Sequence, residues 1–420
     1  MKYHGVRLII FILLLTGCSM NLPKNKRSLV QMNSNVVLNE DNLAVFLDKL
    51  YALKSNQKTD TLPLKILHIG DSHVLMGHFS NAVREGLQEE FGGSELGFFF
   101  PYILSGGYNP AGINIRTDSK WKFATNSKPD STIQVGVTGA TAQTIDSISS
   151  MIFAFKGRAK IKTVTIYHQP LDHQFEIRCD GAAISTIDNN NNQTAFTTIT
   201  IPEEDSEIKV EIVKLNPGEH HLSIYGVSMN QLKSEGIDYH AFGVSGNQYQ
   251  YFKNLNPIFK SQLIDFKPDL MIISLGSNDA YRKGIDSSEY LALIVGLIES
   301  IREIAPQTAF ILTSPPDTKY KDESPVSENT VLNSIREACK ITQSSQWDFH
   351  TLMGGTGSNQ IWQKLNLATD DGLHLSNQGY QIEGALFNIA LAKALKQKHP
   401  ESTWLEKSTE TYNMQVLKVL

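Results

Sequence analysis

The chain has 420 residues, too many for one ordinary domain, so two domains or one domain with a large insertion is expected. Apolar residues make up 41% and charged residues 19%, a balance that supports a sizeable core and excludes general disorder. A formal net charge of -5 leaves no strongly basic face and argues against nucleic acid as a partner.

Residues 1–18 read as an export signal. Lys2 and Arg7 flank the start, and the apolar run Leu8–Leu15 is too short to span a bilayer as a stable helix. Leu15-Thr16-Gly17-Cys18 then resembles the bacterial lipoprotein signal, which implies cleavage before Cys18 and lipidation of that residue. An incidental cysteine is the other reading. Several acyl chains on one residue would anchor the chain stably. Ser19 follows, with no Asp to suggest inner-membrane retention, so the expected location is the outer membrane, facing the periplasm. Residues 19–40 are polar and basic (Lys24, Lys26, Arg27) and are expected to be a tether. Cys179 and Cys339 fall in different expected domains and read as two buried thiols rather than a disulfide.

Leu43–Leu53 has helical apolar spacing, Leu64–Ile69 reads as a strand, and Val74–Phe91 reads as a helix stopped by Gly92-Gly93. From about Trp121 to Met229 the period changes to two. Short alternating stretches such as STIQVGV (131–137), KTVTIYHQ (162–169), FTTITIP (196–202) and IKVEIVKL (208–215) are separated by turn signals, among them Asp180-Gly181 and Pro217-Gly218. That pattern predicts a β-sandwich over 119–235, with the run Asn189–Asn192 as an exposed hairpin turn. After Asp238 strands and helices alternate again: strand Leu270–Gly276, helix Glu289–Ile304, strand Ala309–Pro316, helix Val331–Gln343 and a final helix Gly379–Gln397. Residues 41–118 and 236–400 are therefore expected to build one α/β domain, a mostly parallel sheet with helices on both faces, with 401–420 as a tail.

Four short blocks stand out. In His68-Ile69-Gly70-Asp71-Ser72-His73-Val74 a strand meets a sharp turn, a serine and a helix. This is nucleophile-elbow geometry without the Gly-x-Ser-x-Gly spacing, and a simple helix cap by Asp71 or Ser72 fits it too. Ser274-Leu275-Gly276-Ser277-Asn278-Asp279 ends a buried strand at the same sheet edge. Asn278 there is either an oxyanion donor or an ordinary turn residue. Asp371 precedes His374 by three residues, so its carboxylate can hold one imidazole nitrogen while the other faces the sheet edge, as a base requires. Ser376 or Asn377 caps the helix that follows. Lastly, a glycine within Gly243–Gln248 can present its amide to an anion, or merely form a tight turn.

In this order the blocks resemble the SGNH (GDSL-like) hydrolases, over about residues 41–115 and 236–397. The resemblance implies an SGNH-hydrolase-like (flavodoxin-like) parallel sheet interrupted by the β-sandwich. It implies Ser72 as nucleophile, His374 as general base and Asp371 as its orienting partner. The implied oxyanion donors are the Ser72 amide, the Gly246 amide and the Asn278 side chain. Gly139, in GVTGAT, imitates the same block, but Gly246 stands where the α/β pattern resumes. The GDSH form, the stretch GIDYHAFGVSGNQ, Met353-Gly354-Gly355 and Trp362 are similar to the peptidoglycan O-acetylesterases of Gram-negative bacteria. Those enzymes carry an inserted β-sandwich resembling a carbohydrate-binding module. The implied activity is a serine esterase removing O-acetyl groups from a cell-envelope glycan, 6-O-acetyl muramic acid in peptidoglycan above all, with no metal or other cofactor. His73 lines the acyl pocket or is structural. Trp121, Tyr225 and Trp362 are sugar-stacking candidates or core. An esterase on another acetylated polysaccharide, a glycan O-acetyltransferase and a non-catalytic glycan-binding lipoprotein are the alternatives. The joint presence of Ser72, Asp371 and His374 argues against the last.

Overall fold

The computed structural model describes residues 29–54, 63–93, 96–155, 161–188, 193–202, 205–231, 235–321 and 323–417. The export signal with Cys18, and the run Asn189–Asn192, lie outside the described residues.

The strand Leu64–Gly70 is the organiser. It pairs in parallel with Leu270–Ser274 on one side and with Ile237–Gly243 on the other. The full six-stranded sheet continues from Leu270–Ser274 through Ala309–Thr313 and Ser345–Trp347 to the edge strand Val37–Leu38, which alone runs antiparallel. Because successive side chains point to opposite faces, a strand covered on both sides must be apolar throughout. Leu270 and Ile272 accordingly join one core with Phe46, Val83 and Leu386, from the helices Ala44–Ala52, His78–Phe91 and Asn377–Lys398. Met271 and Ile273 join the opposite core with Leu263, Ile298 and Ile335, from Pro257–Phe266, Ser287–Ile304 and Glu328–Ile341. Gly70 lies level with both Ser274 and Gly243, so three strands end together and their following loops share one edge.

Between the first two parallel strands in sequence lies an antiparallel region. A seven-stranded sheet centred on Thr163–His168 and Ser223–Asn230 faces a four-stranded sheet containing Ile148–Ala154 and Glu207–Lys214. Val164, Ile166, Val210 and Ile212 share a single core between them, which makes the region a β-sandwich. It begins before residue 119, because Phe98–Phe99 and Ile115–Arg116 already pair into these sheets. The stretch 131–137 is not a strand: the Gly136 and Val137 amides donate to Thr141 Oγ1 and Gln262 Oε1 instead of to a ladder.

Three further expectations are corrected. The helix expected over 74–91 is two helices, Ser72–Leu75 and His78–Phe91, separated at Gly77 in the left-handed region. Residues 29–40 are not a tether. Val30 and Val37 are buried, and Asn35 donates to Leu386 O and accepts from Trp347 Nε1. Nor is 401–420 a free tail: the helix Trp404–Leu417 buries Trp404 and Tyr412, with the Trp404 ring edge-on to Phe91 at 5.1 Å. In both cases a few apolar side chains outweigh the polarity around them. Cys179 and Cys339 are free and buried. Replacing the fully buried indole in Trp404→Ala should cost about 3–5 kcal/mol in chemical denaturation. An unchanged unfolding midpoint would show that the C-terminal helix contributes nothing to the fold.

Candidate active site

Ser72 opens a one-turn helix directly after the strand Leu64–Gly70. Asp71 caps that turn, its Oδ1 accepting from the His73 amide at 3.0 Å. The chain folds back so tightly that a Cβ on Gly70 would stand 2.3 Å from Val74 Cγ2, so only glycine fits there. Ser72 Oγ lies 2.9 Å from His374 Nε2, across 302 residues of sequence. His374 Nδ1 lies 2.7 Å from Asp371 Oδ2. The other carboxylate oxygen accepts from the His374 and Leu373 amides at 3.0 and 2.8 Å and from the Thr369 hydroxyl at 2.6 Å. Partial burial alone would raise the Asp371 pKa. The hydrogen bonds from His374, Thr369 and Leu373 outweigh it and hold the carboxyl well below its ordinary range. The anion fixes the proton on Nδ1 and leaves Nε2 free to accept from the serine hydroxyl. Ser376 caps the helix Asn377–Lys398, accepting from the Gly379 amide at 3.1 Å, and so anchors the loop behind His374.

Asn278 reaches the same edge from the neighbouring strand. Its Nδ2 donates to Asp71 Oδ2 at 3.3 Å and to Asn247 O at 3.1 Å. Asn247 is buried and donates to Gly70 O at 3.0 Å, so it ties the Gly246 turn to the start of the serine turn. Gly246 itself takes a left-handed φ of 77°. The Gly139 amide, by contrast, is already committed to Gly136 O at 3.0 Å. The structure thus brings Ser72, Asp371, His374, Asn278 and the Gly246 turn together.

His73 is buried. Its ring centre is 5.4 Å from that of His374, and its Nδ1 is 2.9 Å from the hydroxyl of Tyr380 on the helix Asn377–Lys398. Burial, reinforced by nearby His374, pushes its pKa down to about 3, so it is a neutral wall behind the His374 ring. Of the stacking candidates, Trp362 and Tyr225 are core residues, and Trp121 packs on the sandwich with its Nε1 donating to Thr117 Oγ1. Sequence reasoning gave Asp71 only the shaping of the turn and missed Tyr380. The contacts that place them come from residues 207 and 307 positions away.

Strand, elbow serine, histidine and orienting carboxylate form, on an α/β fold, an arrangement that can support serine-based acyl transfer. Residues 225–382 match the model of the GDSL-like Lipase/Acylhydrolase family. The match takes in Gly246, Asn278, Asp371 and His374 but stops short of Ser72, which the β-sandwich separates from them. A solved peptidoglycan O-acetylesterase superposes with a TM-score of 0.68 at 21% identity, over 84% of this chain and 96% of that one. That span is too long for the parallel-sheet region alone, so the shared architecture includes the antiparallel block. A GDSL-like lipase from Parabacteroides merdae (20% identity, TM-score 0.30, 37% of this chain and 72% of that one) is also similar. So is an acetylxylan esterase from Geobacillus stearothermophilus (20% identity, TM-score 0.29, 41% and 75%). No curated protein matches.

Beneath Asn278 lies a second acid. Asp279 is fully buried, and burial pushes its pKa up to about 7, partly offset by the Tyr249 amide and reinforced by nearby Asp71. Asp71 is likewise raised, to about 6, mainly by burial. An acid whose folded pKa exceeds the unfolded value of about 3.9 holds its proton more tightly in the fold. The stability this gives is complete below the unfolded value and is lost as pH rises through the folded one. Asp279→Asn, which cannot ionise, should therefore narrow the fall in Tm between about pH 5 and about pH 8. Thermal melts at the two pH values check this, and an unchanged gap counts against it.

Proposed function

We propose that this chain is a serine esterase that removes O-acetyl groups from a cell-envelope glycan, and that its substrate is 6-O-acetyl muramic acid in peptidoglycan. The observation that carries the reading is the unbroken line Ser72 Oγ, His374 Nε2, His374 Nδ1, Asp371 Oδ2, at 2.9 and 2.7 Å. Ser72 Oγ attacks the acetyl carbonyl carbon while its proton passes to His374 Nε2. The amides of Ser72 and Gly246 hold the oxyanion, joined by the Asn278 side chain, whose Nδ2 exchanges its longer bond, to Asp71 Oδ2, for one to the oxyanion. As the tetrahedral intermediate collapses, the imidazolium gives its proton to the departing sugar oxygen. The same imidazole then takes a proton from water, which attacks the acetyl-serine and releases acetate.

Architecture supports the substrate: a peptidoglycan O-acetylesterase superposes on 84% of this chain with a TM-score of 0.68. The triad is also open, with 33% of the His374 side chain and 43% of the Asp371 side chain exposed, which suits a polymer that must lie across the site. A transferase using the same triad would need water kept from the acyl-enzyme, and this exposure favours hydrolysis. The Leu15–Cys18 signal supports a lipid-anchored chain at the outer membrane, facing the periplasm.

Two outcomes test the reading. Ser72→Ala should cut acetate release from O-acetylated peptidoglycan by at least about 10³-fold. Equal release by variant and wild type, on peptidoglycan and on acetylated xylan alike, would falsify it. Asp71→Asn keeps the cap to His73 but sets one amide donor against another at Asn278. Its kcat should fall about tenfold or more, short of the roughly 10²–10³ typical of losing an oxyanion donor outright. A kcat equal to wild type would mean that Asp71 does not place Asn278.

A further inference from the structure

The segment 314–321 leaves the end of the strand Ala309–Thr313, at the edge that carries Ser72 and Asn278. It passes over the neighbouring strand end. Tyr281, three residues beyond Asn278, donates from its hydroxyl to Thr318 Oγ1 at 3.0 Å and accepts from the Tyr320 amide at 2.9 Å. One residue earlier, the Lys319 amide donates to Gly372 O at 2.7 Å, in the turn that carries Asp371 and His374. Tyr320 is thereby mounted between the Asn278 side of the site and the base loop.

Its ring stays partly in solvent, with 40% of the residue exposed, perpendicular to the Tyr281 ring at 6.3 Å between centres. Lys321 Nζ lies 5.1 Å from the centre of the Tyr320 ring, and Lys321 is exposed. Exposed Lys283 follows Tyr281 by two residues, and exposed Glu323, whose amide donates to Tyr320 O at 2.9 Å, follows Lys321 by two. None of these groups touches the triad. A rigidly held, half-exposed aromatic ring offers a flat apolar surface for the C–H face of a sugar. A lysine on a flexible stem beside it offers a counter-charge.

We propose that Tyr320 and Lys321 form a subsite beside the acetyl ester, in which Tyr320 takes a pyranose ring of the glycan and Lys321 a carboxylate attached to it. The ligand class is an acidic glycan. Peptidoglycan, with its lactyl and peptide carboxylates, belongs to that class, and neutral acetylated xylan does not. The proposal rests on the esterase reading of Ser72 and adds a preference that the triad alone does not supply.

Steady-state kinetics on three acetyl esters test it. Tyr320→Ala should raise KM for O-acetylated peptidoglycan about five- to tenfold, leave kcat within about twofold, and leave p-nitrophenyl acetate hydrolysis unaffected. Tyr320→Phe should behave as wild type. Lys321→Glu should raise KM for peptidoglycan but not for neutral acetylated xylan, and added salt should shrink the difference. Equal losses on p-nitrophenyl acetate and on the glycan, or no loss on the glycan, would overturn the subsite. Should wild type release no acetate in a Ser72-dependent manner, the esterase reading fails separately, and binding decides the subsite. Ser72→Ala should then co-sediment with peptidoglycan sacculi several-fold more than Ser72→Ala/Tyr320→Ala, and equal sedimentation would overturn it.

Discussion

Everything at the site depends on one register. Gly70 is level with Ser274 on one side and Gly243 on the other, so the three loops that follow emerge at a common edge. Parallel pairing makes this possible, because every strand of the set delivers its C-terminal end to the same side. At Gly70 the chain then turns back within the space of a missing Cβ, which lifts Ser72 off the strand and towards His374. The strand is also braced from within. His68 sits with one ring nitrogen 2.7 Å from Tyr239 Oη and the other 2.7 Å from Ser274 Oγ, so its imidazole links both flanking strands. Burial pushes its pKa down to about 3, so the brace is neutral.

Polarity is concentrated beneath this edge. Asp71 and Asp279 are both buried, and Glu383 on the helix Asn377–Lys398, also buried, is raised well above its ordinary value mainly by its own burial, with Asp71 adding to it. Such groups are costly in a core and persist where they hold something in place. Asp71 does so visibly, linking the cap of the serine turn to the Asn278 amide. The exposed part of the site has the opposite character. Asp371 is held as an anion by four donors from its own loop, so His374 is oriented locally while Asn278 is oriented by long-range contacts.

The β-sandwich enters the chain between the serine turn and the rest of the site, yet it leaves the parallel sheet intact. Its last strand, Ser223–Asn230, is followed closely by Ile237–Gly243, which pairs beside Leu64–Gly70. The insertion therefore opens and closes next to one strand pair. It is also not a loose appendage: Ser127 donates to Ser245 O at 2.7 Å, and Asn256 to Val135 O at 2.7 Å. Sandwich and parallel-sheet domain thus meet at the Gly243–Gln248 turn and just after it.

Much of this was legible in the residues alone. Apolar runs marked the buried strands, periods of two and of 3.6 separated sandwich from α/β region, and the three-residue spacing of Asp371 and His374 made their contact a local matter. The order of the blocks then pointed to Ser72. Folding alone decided what depends on register between distant segments. It committed the Gly139 amide to Gly136 O, tied the Gly246 turn to the serine turn through Asn247, and gave Asp71 a second partner in Asn278. It also turned Trp362 and Tyr225 into core, brought Tyr320 to the rim, and drew residues 29–40 and 404–417 into the domain. Local propensity follows from nearest neighbours and can be read along the chain. These contacts form only once a sheet has aligned its strand ends, and no short stretch of sequence carries that information.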